Sequence, residues 1–242
     1  MLISPQHRFI FFKPLKCAGS SVEFSLLKHC SEHALCTGGT PGEVQMGYVE
    51  LNNHTFTDGK KYHLFNSHTW PALFFERIAN TAQWNDYKKI SIVRNPWDTV
   101  VSWYWWSMYR LGRHSLLIDE KDDDYLTKLK FGTFLKTKGF IDSITPETLP
   151  IECTPLEYID INENFLDSSI DYYVRFENLQ KDYDNLCNQL KLKNSKLHKL
   201  KGTHRKIKRH YSRYYSLETQ SMVAKHFVST IKHFNYTFVE HD

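Results

Sequence analysis

RFIFFKPLKCAGSSVEFSLLKHC (residues 8–30) decides how the rest of the chain is read. FIFF is an apolar run of strand length, CAGSS is a loop of small residues, and VEFSLLKHC spaces its apolar residues as a helix does. In that order the three pieces turn backbone N–H groups and the positive end of a helix dipole toward an anion. The ATP/GTP loop GxxxxGK[ST] is absent, because Lys16 stands before the small residues and not after them. The stretch therefore predicts a phosphate cradle of another kind and leaves the anion to be identified.

Composition narrows the setting. A chain of 242 residues suits a single domain, here 1–242, and 41% apolar with 15% aromatic residues marks it as globular. No apolar run is long enough to span a bilayer, and MLISPQHRFIFFK has too short an apolar centre for a signal peptide. Five cysteines, scattered and without a CxxC pair, argue against a disulfide framework and against a zinc site, so a reducing, cytoplasmic location is expected. The net charge of +4 hides an asymmetry. Ten Lys/Arg and no acid lie between Asp184 and Glu218, which leaves 21 basic against 27 acidic residues elsewhere, a balance of −6. Segment 191–213 is either a site for an anionic partner or a solvated basic face.

The periodicity predicts an α/β fold, a central parallel sheet flanked by helices. Strands are expected at 8–12, 61–68, 88–93 and 170–179, the last running into a turn. Helices are expected at 21–29, from Pro71 to about Ala79, from Pro96 to about Tyr109, and at 125–136, 181–190 and 216–234. Residues 37–61 read as loop or hairpin, 111–125 as charged and irregular, and 140–170 as loop with short strands. Loops 37–61 and 107–160 are expected to lie on the substrate side.

SIVRNPWDTVVSWYWW (residues 91–106) supplies a second anion handle. Arg94 ends an unbroken apolar strand, where α/β proteins place their ligands. Asn95 is a natural N-cap and Pro96 suits the first helical turn. Ser102 lies two turns further on the same face, ~10 Å along the axis. A guanidinium fork and a hydroxyl so placed can grip one phosphate. A strand-end arginine paired with an acid remains the plainer alternative, and the Trp/Tyr run 103–109 reads as core.

KCAGSS after one strand and RNPWDTVVS after a later one together resemble the two nucleotide signatures of sulfotransferases that use 3′-phosphoadenosine 5′-phosphosulfate (PAPS). NSHTWPALF resembles the family segment that carries a histidine base, IDYYVRFENLQKDYDNLC its RFENL strand–helix unit, and HYSRYYSLETQSMVAKHF the Tyr-rich C-terminal helix entry of glycan-type and bacterial members. The resemblance implies a P-loop-like sulfotransferase fold and PAPS as co-substrate. It implies that Lys16, Cys17, Ala18, Gly19, Ser20 and Ser21 hold the 5′-phosphosulfate, and that Arg94 and Ser102, eight residues apart, hold the 3′-phosphate. Arg205 and Lys208 are its candidates for further contacts there.

Under that resemblance Lys16 neutralises the leaving 5′-phosphate and His68 takes the acceptor proton, with Glu23, His63 and His204 as other candidate bases. Cys17 has no partner cysteine and reads as a small loop residue. No metal is expected, since no carboxylate pair with metal spacing accompanies the loop. The expected partner is a hydroxyl-bearing acceptor, a glycan or a small molecule, and not a nucleic acid. Two other readings stay open. A P-loop-type kinase would need a lysine after the loop and an acid at a strand end. A polyanion or nucleic-acid binder would use 191–213 and leave both motifs without purpose.

Overall fold

A computed structural model of the chain describes residues 1–31, 34–36, 49–50, 68–77, 82–111, 116–138, 153–197, 200 and 204–241. Its contacts fall into two compact units: Met1–Arg94 with Asn164–Leu200, and Asn95–Glu163 with Lys201–Asp242.

The first unit is built on a six-stranded sheet. Its strands are β1 (Leu2–Ser4), β2 (Phe9–Phe11), β3 (Leu35–Cys36), β4 (Val49–Glu50), β5 (Lys88–Val93) and β6 (Tyr172–Arg175), in the order β4-β3-β1-β2-β5-β6. β2, β5 and β6 run parallel, with Phe11 opposite Ile90 and Ile90 opposite Tyr172. β1 is antiparallel to both of its neighbours, so the sheet is mixed, and the parallel half carries both motif strands. Helices α1 (Gly19–Leu27), α2 (Pro71–Arg77) and α6 (Leu179–Gln189) belong to this unit.

FIFF needs two apolar faces because helices cover the sheet on both sides. Phe9 and Phe11 pack with Val22 and Leu26 of α1 and with Tyr183 and Leu186 of α6. Ile10 and Phe12 pack on the other side with Phe74 of α2, Trp84 and Phe165.

The sequence reading missed β1. Its three residues are too short for periodicity to show, and they pair through a turn that closes at Arg8, a non-glycine residue at φ 50°. Val49–Glu50, inside the expected loop or hairpin, pairs in parallel with β3, so those two strands do not form a hairpin with each other. The rest of 37–61, and all of the expected strand 61–68 except His68, lie outside the described residues.

The second unit is helical: α3 (Pro96–Leu111), α4 (Asp124–Lys136), α5 (Pro155–Ile159), α7 (Leu217–His226) and α8 (Val228–Phe234). Asn95 starts α3 as expected, its Oδ1 accepting from the amides of Trp97 at 3.0 Å and Asp98 at 3.4 Å. The aromatic run of α3 is core. Trp103, Tyr104 and Trp105 are buried, and Trp103 stacks between Trp106 at 4.8 Å and Tyr158 at 4.9 Å. Only Tyr109, 64% exposed, leaves it.

Two expectations here are corrected. Among the described part of 140–170, Pro155–Ile159 is a helix and not a strand, started by a Thr154–Glu157 capping box with Pro155 in its first turn. The helix expected at 216–234 is two. Glu163 accepts from the amides of Ser229 at 2.9 Å and Thr230 at 3.2 Å, and this carboxylate starts α8 afresh after the break at Phe227.

Candidate functional site

The loop after β2 begins as a continuation of the ladder, the Phe12 amide donating to the Ile90 carbonyl at 2.8 Å. It then turns through Lys16 at φ 60° and Ala18 at φ 64°, both left-handed. Such conformations cost an L-residue roughly 1–3 kcal/mol each and persist only where the surroundings hold them. Left-handed residues at alternate positions turn successive N–H groups to one side, the concave arrangement that receives anions.

Arg94, just past the end of β5, does the holding. Its Nη1 donates to the Lys16 carbonyl at 2.8 Å, and its guanidinium lies 3.9 Å over the Phe176 ring. Ala18 is the N-cap of α1, and no side chain caps that end. Ser21 is committed on both counts: its amide donates to the Ala18 carbonyl at 2.9 Å and its hydroxyl accepts from the Leu200 amide at 3.1 Å. Cys17 is buried, with Sγ donating to the Leu15 carbonyl at 3.2 Å. Lys16 and Ser20 are half-buried.

Gly19 is required by a neighbour. A Cβ there would stand 2.2 Å from Cγ of Lys13, whose stem crosses directly beneath the first turn of α1. Lys13 is 5% exposed, and its ammonium pairs with Glu23 on α1. The Met1 amino group donates to the other Glu23 oxygen at 3.1 Å. Burial pushes the Glu23 pKa up, but the Met1 amino group and the Lys13 ammonium more than offset it and hold the carboxyl at about 2.

His68 stands beside the same residue, Nδ1 lying 2.7 Å from the Lys13 carbonyl. A carbonyl only accepts, so the proton is on Nδ1 and Nε2 carries the lone pair. Burial, with the Lys13 ammonium next in weight, pushes the ring down to about 3, and it is neutral at pH 7.

The first unit thus links Lys16, the loop 17–21, Arg94, Lys13 and His68 by direct contacts. Lys13 and its pairing with Glu23 escaped the sequence reading. The available signal was one charged residue closing an apolar strand, with no local spacing to tie it to an acid ten residues on. Among the other candidate bases, Glu23 is held by two cations, and His63 lies outside the described residues.

The remaining expected residues belong to the second unit. Ser102 is half-buried on α3. Arg205 donates to Asp98 at 3.0 Å and to the Arg209 carbonyl, and Lys208 is exposed. His204 packs its ring on Tyr109 at 4.4 Å. Among the described residues no group of three or more His, Cys, Asp or Glu is placed to hold a metal ion, and no helix is long and apolar enough to cross a membrane.

No protein-family model matches the chain, and no curated protein matches it. Among solved structures, mouse sulfotransferase SULT7A1 complexed with PAP aligns over 96% of this chain and 87% of its own, at 12% identity and a TM-score of 0.46. The overlap is loose, and the α/β assignment stands on strand order and pairing.

Proposed function

We propose that the chain, acting as one functional domain over 1–242, is a sulfotransferase that moves a sulfuryl group from PAPS to a hydroxyl acceptor. One observation carries the reading. A loop bent left-handed at Lys16 and Ala18 is gripped by Arg94 from the end of the adjacent parallel strand, so cations stand where a kinase needs a metal-ligating acid. The sequence resemblance supplies the anion, and the contacts of the first unit fit its 5′-phosphosulfate end. The backbone N–H groups of 17–20 are assigned to it, the start of α1 that would receive it lacks a side-chain cap, and Lys16 is the adjacent cation.

In this reading the acceptor O–H gives its proton to Nε2 of His68 as its oxygen forms the new O–S bond. The S–O bond to the 5′-phosphate breaks, and the electron pair leaves on the phosphate oxygen, where Lys16 and the loop amides stabilise it. His68 is assigned as the base because the Lys13 carbonyl fixes its tautomer and puts the lone pair on Nε2. The Arg94 guanidinium, which donates to the Lys16 carbonyl through Nη1, is assigned with Ser102 to the 3′-phosphate. Arg205 and Lys208 are assigned to the same end. The acceptor is a glycan or small-molecule hydroxyl, the location cytoplasmic, and neither a metal nor a nucleic acid takes part.

The test is calorimetric titration of 3′-phosphoadenosine 5′-phosphate (PAP), the product nucleotide, with EDTA present and with AMP and ATP as controls. The expected result is PAP binding that AMP does not match and that Arg94→Ala removes. Better binding of ATP, dependent on Mg²⁺, overturns the reading in favour of a kinase.

A further inference from the structure

Lys13 has no part in the transfer chemistry above, yet three pieces of the site converge on it. Its carbonyl holds the His68 ring at 2.7 Å. Its stem fills the space against Gly19, where a Cβ would meet Cγ at 2.2 Å. Its ammonium is buried with the Glu23 carboxylate, both side chains no more than 7% exposed. A buried ion pair is weak support for stability, since an apolar pair of similar volume usually serves as well. It can fix geometry, because Lys13 cannot move without stranding its ammonium and leaving Glu23 to the Met1 amino group alone. Lys13 therefore ties strand, loop floor, helix α1 and base into one rigid piece.

We propose that the Lys13–Glu23 pair is a buried strut that keeps the His68 base in register with the phosphosulfate loop, so that Lys13 is a positioning residue of the transfer step. The proposal rests on the reading of His68 as base and 16–21 as donor loop. In-line transfer loses about 10²-fold in rate for a 1 Å misplacement, while ground-state binding of the nucleotide tolerates it far better. Breaking the strut should therefore lower kcat and leave donor affinity in place.

The experiment uses the full chain with Lys13→Met and Glu23→Gln together, which removes the ion pair, keeps volume and leaves a side-chain carbonyl at position 23 to accept from the Met1 amino group. Turnover is read as PAP released from PAPS with water as acceptor, and affinity as PAP binding by calorimetry. The expected result is kcat lower by about 10–100-fold with the PAP dissociation constant within about threefold. A folded double variant with kcat within threefold of the parent overturns the strut, as does an equal loss in kcat and PAP affinity. If the double variant does not fold, Glu23→Asp, which draws the carboxylate back by one methylene, is expected to show the same split, and parental kcat there overturns the proposal.

A readout independent of turnover separates this proposal from the functional one. In ¹⁵N-histidine spectra of the unliganded chain, with His68 assigned by its loss in His68→Gln, the Nδ1–H tautomer of His68 is expected to persist to below pH 5. In Lys13→Met its titration midpoint should rise by at least one pH unit. An unmoved His68 overturns the strut even if the chain binds PAP. A moved one supports it even if the chain does not, in which case only the sulfotransferase reading fails.

Discussion

The cations of the two units are used in opposite ways. In the first, Arg94 grips the Lys16 carbonyl in a bent loop, and that loop leads into a helix start without a side-chain cap. In the second, the arginines of the basic segment are taken up by the protein itself. Arg205 pairs with Asp98, Arg213 with Asp124, and Arg209 donates to the Thr127 hydroxyl and to the carbonyls of Glu120 and Asp122. Among the described residues of the segment, lysines such as Lys206 and Lys208 are exposed. A run of ten positive charges thus does not by itself mark a ligand site, since its three arginines bond to the protein. Charge density counts ions, whereas a site needs ions whose geometry is directed at the ligand.

The largest effect that follows is on turnover. Lys16→Met removes one cation from the leaving phosphate and is expected to cost about 10²–10³ in kcat, with the melting temperature unchanged. Thermal melts beside PAPS turnover check both halves, and a variant that loses stability instead erases the contrast between the units.

Gly19→Ala comes next. Its Cβ collides with the Lys13 stem, so it should destabilise by about 1–3 kcal/mol and abolish PAP binding, as read by urea unfolding and calorimetry.

Arg205→Ala should act on stability before it acts on any ligand. It breaks a partly buried pair with Asp98 at a cost of about 1–2 kcal/mol, whereas Arg213→Ala, on an exposed pair, should stay within about 0.5 kcal/mol. If Arg205→Ala lowers PAP affinity at unchanged stability, the second unit uses its arginines as the first does.

Acid sharpens the contrast from another side. The folded pKa of His68, about 3, lies below its ordinary 6.5, and that of Glu23, about 2, below 4.5. In both cases the unfolded chain takes up the proton first. Their contribution is therefore full above pH 6.5 and falls from 6.5 to 3 for His68 and from 4.5 to 2 for Glu23. The slope is at most about 1.4 kcal/mol per pH unit for each group. Urea unfolding between pH 7.5 and pH 4 reads this directly, and His68→Gln should flatten the upper part of the curve.

Much of the fold was legible where its signals are local. FIFF and KKISIV in the first unit and the Asn95–Pro96 helix start in the second each announce themselves within six residues, and the structure places them as expected. The Lys13–Glu23 pair and the hold of Arg94 on Lys16 were not legible, since each joins residues that only the folded sheet brings together. β1 was missed because three residues carry no period, and α5 because its five residues span little more than one helical turn. The break at Phe227 depends on Glu163, 64 residues upstream, and no window of helical periodicity contains both.

The most direct test of the central claim is the structure of the chain with PAP bound. The account predicts the 5′-phosphate within hydrogen-bond distance of the amides of residues 17–20 and of Lys16 Nζ, with the Arg94 guanidinium on the 3′-phosphate. A nucleotide bound instead against the lysines of 191–213, with the loop after β2 untouched, would contradict it.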